Sequence, residues 1–167
     1  HEALEKFDPE RKYKKIIHLQ GDLPNISGNL IKRLATVIQD VSKEIVTVVV
    51  KAKPEEFEVN SVVKAAIAFS NVEQNQNKVG NALYFSRTPI PFSKTNDSIN
   101  HLRHIGLYAY QSETLLKIAK LTPCQIEKME SLEQLRWLFY GYSIKVIETD
   151  IETPNIDTPE DVKNVIK

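Results

Sequence analysis

The sequence predicts an α/β fold in which helices flank a mixed, mostly parallel sheet. Three observations carry this expectation. Residues 14–19, 29–42 and 44–51 read in turn as an apolar run, a helix-spaced set (Leu30, Ile31, Leu34, Val37, Ile38, Val41) and a β-branched run. Residues 104–110 are apolar on both faces, as a central strand requires. Thr122-Pro123 and Thr158-Pro159 repeat a cap-then-proline helix start.

In chain order, residues 2–7 form a short helix, and the cluster Arg11-Lys12-Tyr13-Lys14-Lys15 is a solvated turn into a buried strand at 14–19. That strand ends in the loop Gln20-Gly21-Asp22-Leu23-Pro24. The helix at 29–42 then connects it to the strand Ile45-Val46-Thr47-Val48-Val49-Val50, and this order predicts a right-handed parallel crossover. Residues 62–69 and 82–86 are strands, and the Asn- and Gln-rich segment 70–78 is an exposed, hairpin-like connection between them. Thr88-Pro89-Ile90-Pro91 holds extended backbone, because each proline fixes its own φ and restricts the residue before it. After the strand at 104–110, residues 111–120 form a helix. Thr122 caps a second helix that runs to about Tyr140, stops at Gly141, and carries Ile126, Met129, Leu132, Leu135 and Leu138 or Phe139 along one core-facing stripe. A strand at 143–148 and a helix beginning at Thr158 complete the order.

At 167 residues and 41% hydrophobic content, the chain is expected to close one domain, 1–167, without disulfide or metal staples. Lys+Arg and Asp+Glu are both 22, so no net field favours nucleic acid or an anionic membrane surface. Cys124 stands alone, which excludes an internal disulfide and a multi-thiolate zinc site and fits a reducing compartment. The longest apolar stretch, within 45–50, is far short of the roughly 18 residues a membrane span needs. A soluble, cytoplasmic protein is expected.

Several residues are candidates for chemistry. Asp22 follows a strand end, where open α/β sheets bind ligands, and a carboxylate there suits Mg²⁺ bridged to substrate phosphates, although Gly-Asp is also a common turn. Asp157 precedes the better cap Thr158, so it is either a helix-terminus carboxylate or a second ligand. His104 and Tyr108 share a strand face, and in an apolar strand such a histidine is usually a packed one with one satisfied nitrogen. Arg87 is either half of a surface ion pair or a guanidinium fork for a carboxylate. By periodicity Glu133 and Gln134 lie on a solvated helix face.

Five strings occur together: Gln20-Gly21-Asp22, ALYFSRTPIP at 82–91, HIGLYAY at 104–110, SLEQLR at 131–136 and NIDTPED at 155–161. With them the chain resembles the CMP-KDO synthetases, the 3-deoxy-manno-octulosonate (KDO) cytidylyltransferases. The resemblance implies a three-layer α/β/α, nucleotide-diphospho-sugar transferase-like fold. It also implies transfer of CMP from CTP to KDO, with release of pyrophosphate, for lipopolysaccharide synthesis. It would assign Asp22 and Asp157 to Mg²⁺, and Gln20, Arg87, His104, Tyr108, Glu133 and Gln134 to the sugar acid. The family is dimeric. Its N-terminal glycine-rich segment, Ile-Pro-Ala-Arg followed by Pro-Gly-Lys, has no counterpart here, and the chain opens with His1 in what reads as mid-helix. The expectation is therefore the C-terminal portion of a cytidylyltransferase fold, N-terminally truncated. It would work as a homodimer or with a separate chain supplying the missing part. The alternative is a catalytically inactive remnant that binds a sugar acid or dimerises.

Overall fold

The β-branched run becomes β2 (Ile45–Lys51), in which every residue except Lys51 is buried. Alternation along it feeds two cores. Ile45 and Val49 point into one, and Val46, Val48 and Val50 into the other. The computed structural model describes residues 1–40, 42–69, 78–92, 94, 101–151 and 153.

The remaining strands are β1 (Lys15–His18), β3 (Lys64–Phe69), β4 (Val79–Ser86), β5 (Leu102–Gln111) and β6 (Ile144–Thr149). They form one six-stranded sheet in the order β1-β5-β2-β6-β4-β3, and β3 also pairs with the start of β5. β1, β2, β3 and β6 run in one direction and β4 and β5 in the other. The sheet is therefore mixed, with most strands co-directional, yet β2–β6 is the one parallel ladder among the described pairings. β1 and β2 are parallel as expected but are not neighbours. β5 lies between them, antiparallel to both, because its doubly apolar sequence needs cover on both faces. β1 is expected to be buried, but it sits at the sheet edge with Ile16 and Ile17 only half-buried.

Helices cover both faces of the sheet. On one side α2 (Gly28–Val37) presses Leu30 and Leu34 onto Val46, Val48 and Leu107, and the Ser27 hydroxyl accepts the Asn29 N–H at its start. On the other lie α3 (Ser112–Ile118), α4 (Gln125–Glu130) and α5 (Gln134–Phe139); α3 gives Ile118 and α5 gives Leu135 and Trp137 to the second core, and Ile126 of α4 packs against it. A short α1 (Glu2–Phe7) precedes β1. Its exit is held by the buried Asp8 carboxylate, which accepts the N–H of Lys12 and of Tyr13, both at 2.9 Å.

Three expectations for this half of the chain need correction. Thr122 is not the cap. The helix starts two residues later, capped by Cys124, whose N–H donates to Glu127 Oε2 at 3.2 Å. The expected single helix to Tyr140 is two, because Ser131 takes a left-handed conformation (φ 53°) that ends α4. The break leaves Met129 and Phe139 exposed, while Leu132 and Leu135 remain buried. The connection at 70–77 and the helix from Thr158 lie outside the described residues. Among those described, no helix is long and apolar enough to cross a membrane.

Candidate functional site

The site begins with an irregularity in β5. The β2–β5 register shifts between Thr47 and Val48, so that Gly106 and Leu107 have no partner opposite. Thr47, fully buried, answers this locally. Its hydroxyl lies 2.9 Å from Leu107 O, 3.4 Å from Ile105 O and 2.9 Å from His104 Nε2. The bulge turns the His104 ring edge-on to Phe85 (5.0 Å) and tilts it against Tyr108 (5.4 Å). Tyr108 and Tyr110 stack at 5.7 Å, and both meet Trp137 edge-on. Burial pushes His104 down to about 3, so its ring is neutral at any ordinary pH. Burial also raises both phenols, and they remain protonated. The Tyr108 hydroxyl is buried and makes no well-formed hydrogen bond among the described residues, although the Thr47 hydroxyl lies close enough to favour its ionised form against the larger effect of burial.

Beyond β1, the Gln20-Gly21-Asp22 turn closes with Leu23 N–H donating to Gln20 O. The Gln20 amide lies directly over Gly106, where an added Cβ would come within 2.4 Å of Oε1. Since the obstructing atoms are the end of a flexible side chain, Gly106→Ala is expected to displace Gln20 rather than unfold the protein. Ligand affinity at this cleft should fall about threefold to tenfold, one hydrogen bond's worth, while the urea midpoint holds. Asp22 brings Oδ1 into the same space, buried and without a hydrogen-bond partner among the described residues.

The opposite wall is tied together by Lys64, Arg87 and Glu130. Fully buried Lys64 donates from Nζ to the carbonyls of Val59 (3.0 Å), Val62 (2.8 Å) and Arg87. Arg87 donates to Glu130 O from Nε (2.7 Å), Asn60 O from Nη1 (3.0 Å) and Ser131 O from Nη2 (3.3 Å). Glu130 accepts in return from Ser86 Oγ and Arg87 N, each at 2.9 Å. Arg87 thus satisfies the carbonyls that end α4, and this contact accompanies the break at Ser131. Each terminal guanidinium nitrogen keeps one further N–H.

These walls enclose an open cleft of about 600 Å³, within the range of small-molecule sites. Gln20, Asp22, Arg87, His104, Tyr108, Glu133 and Gln134 all line it, whereas Asp157 lies outside the described residues. Gln134 is buried and Glu133 exposed, because the break after α4 rotates α5 relative to the continuous helix the periodicity suggests. Sequence reasoning missed Lys53, Glu56, Arg103 and Trp137. Arg103 Nε lies 3.5 Å from Glu56 Oε1. A charged residue inside an apolar strand and the chain's one tryptophan were the available signals for two of them. Among the described residues, no group of three His, Cys, Asp or Glu side chains could hold a metal alone.

Comparison with known proteins places this cleft in context. The family described as "Cytidylyltransferase" matches residues 1–148. A 3-deoxy-manno-octulosonate cytidylyltransferase of Bacteroides thetaiotaomicron is 40% identical over 89% of this chain and 60% of its own length. One of Cytophaga hutchinsonii is 40% identical over 98% of the chain and 64% of its own. An 8-amino-3,8-dideoxy-manno-octulosonate cytidylyltransferase of Shewanella pealeana is 38% identical over 89% and 58%. Among solved structures, CMP:2-keto-3-deoxy-manno-octonic acid synthetase complexed with CTP superposes with a TM-score of 0.83 at 31% identity, covering 98% of this chain and 63% of that one. Apo UDP-glucose pyrophosphorylase superposes at 0.57 with 13% identity over 95% of this chain and 55% of its own, a likeness of fold alone. The chain spans about 60% of the length of the curated relatives it matches. With a family match over most of its residues and this α/β/α architecture, the chain belongs to the cytidylyltransferase family.

Proposed function

We propose that this chain forms the sugar-acid side of an enzyme that transfers CMP from CTP to the anomeric hydroxyl of KDO and releases pyrophosphate. What carries the reading is one cleft that gathers Gln20, Asp22, Arg87, His104, Tyr108, Glu133 and Gln134, in a chain similar to KDO cytidylyltransferases. A polyhydroxylated acid calls for acceptors and donors on several sides and a cation for its carboxylate. Glu133 and the Gln20 and Gln134 amides supply the former, and the remaining N–H groups of Arg87 the latter. Trp137, Tyr110 and Tyr108 form an apolar flank of the cleft.

The donor set fits Mg²⁺ at one point. A buried carboxylate oxygen without a hydrogen-bond partner, on Asp22, suits a hard cation, and Asp157 is its proposed partner ligand. When bound, the ion offsets charge on the triphosphate and on the departing pyrophosphate. The remaining assignments are part of the same proposal: a cytoplasmic enzyme of lipopolysaccharide synthesis, working as a homodimer or with a chain that completes the nucleotide side.

Titration calorimetry with KDO, its 8-amino analogue and CTP, each with Mg²⁺, followed by a pyrophosphate-release assay, tests this. KDO should bind, and the analogue reports how far the site discriminates. Asp22→Asn should remove the Mg²⁺-dependent part of binding and any pyrophosphate release, with the thermal midpoint unchanged or raised because a buried unpartnered charge is gone. Absence of KDO binding sinks the proposal. KDO binding without CTP binding or release favours the reading of a sugar-acid-binding module.

A further inference from the structure

The orientation of the neutral His104 ring has a consequence for what the cleft can recognise. Nε2 contacts the Thr47 hydroxyl at 2.9 Å, and that hydroxyl also lies 2.9 Å from Leu107 O and 3.4 Å from Ile105 O. A hydroxyl has one proton, and carbonyl oxygens only accept. If Thr47 donated to Nε2, its oxygen would face two carbonyl oxygens in a fully buried place with nothing between them, and the Leu107 contact would become repulsive. Directing the Thr47 proton to Leu107 O relieves this and leaves the Thr47 oxygen to accept from a protonated Nε2.

We infer that Thr47 is a positioning residue that holds His104 as its Nε2–H tautomer, so that Nδ1 presents a lone pair to the cleft and accepts a hydrogen bond from a ligand hydroxyl. Three features support this. Burial disfavours the doubly protonated ring, which would have no such lone pair. Among the described residues no hydrogen bond is made by Nδ1, whereas the ring lines the cleft. The 2.9 Å contact from Nε2 to the Thr47 hydroxyl holds the ring against a flip that would put a carbon in its place. The identity of the ligand as KDO rests on the proposed function, but the tautomer does not.

Long-range ¹H–¹⁵N correlation spectra of the imidazoles read the tautomer without any ligand, with His104→Asn used to assign the signals. The wild type should show a protonated Nε2 and an unprotonated Nδ1 at His104, and Thr47→Ser should retain this pattern. Thr47→Val should give a tautomer mixture and weaken KDO binding about threefold to tenfold, with Thr47→Ser close to wild type. A wild-type ring protonated on Nδ1 overturns the inference, whether or not the valine variant folds. So does a valine variant that folds and keeps the wild-type pattern, or KDO binding that leaves the Nδ1 signal unmoved. If KDO does not bind at all, the proposed function falls, and the spectra of the three proteins alone decide the tautomer.

Discussion

Lys64→Met lowers the free energy of unfolding by about 2–4 kcal/mol, the cost of leaving buried carbonyls without a donor, offset in part by removing a buried charge. Lys64 is fully buried, and its ammonium is the shared donor for the carbonyls of Val59, Val62 and Arg87. Methionine has nearly the same volume, so the loss reports the ammonium and not a cavity. Urea unfolding at constant m-value measures it. A loss below about 0.5 kcal/mol, the size of an ordinary surface change, would show that water or rotated peptides replace the donor. Because the same ammonium holds the Arg87 and Val59–Val62 backbones, the variant should also weaken ligand binding at the cleft. Burial lowers the Lys64 ammonium below its ordinary value, while the Glu58 and Glu130 carboxylates act in the opposite direction.

The second large effect is acid sensitivity set by His104. Its native value of about 3 lies below the 6.5 it has when unfolded, so between these limits the unfolded chain takes up a proton that the native ring refuses. Stability is complete above pH 6.5 and falls as pH drops toward 3, by about 1.4 kcal/mol per pH unit. Between pH 7 and pH 5 the wild type should therefore lose about 2 kcal/mol more than His104→Asn. Carboxylates that titrate in both proteins cancel in that comparison. Equal losses in the two proteins would mean that the ring is solvated enough to protonate in place.

Much of the fold was legible because it is local. The β-branched run at 45–50, the helix spacing of Leu30, Leu34 and Ile38, and the doubly apolar 104–110 each state their own burial, and each is buried as the pattern implies. The helix after Cys124 shows where local reading stops. Its periodicity runs unbroken through Ser131, since Leu132 and Leu135 still face inward, and nothing near Ser131 in sequence announces a left-handed residue. The partner of that break is Arg87, more than forty positions earlier, which hydrogen-bonds the carbonyls of Glu130 and Ser131. Arg87 itself could be read as a carboxylate fork, but its ties to three backbone carbonyls could not.

The sequence by itself determined the α/β class, most of the element order and, through the strings that carry the resemblance, Gln20, Asp22, Arg87, His104, Glu133 and Gln134 as site candidates. Tertiary structure alone decided that β5 lies between β1 and β2, that its bulge meets the Thr47 hydroxyl, and that Lys64, Arg87 and Glu130 tie together one wall of the cleft. The physical reason is the range of the interactions. Periodicity and capping act within a turn or two of chain, whereas strand order and the satisfaction of buried polar groups are settled between segments that meet only when the whole sheet has formed.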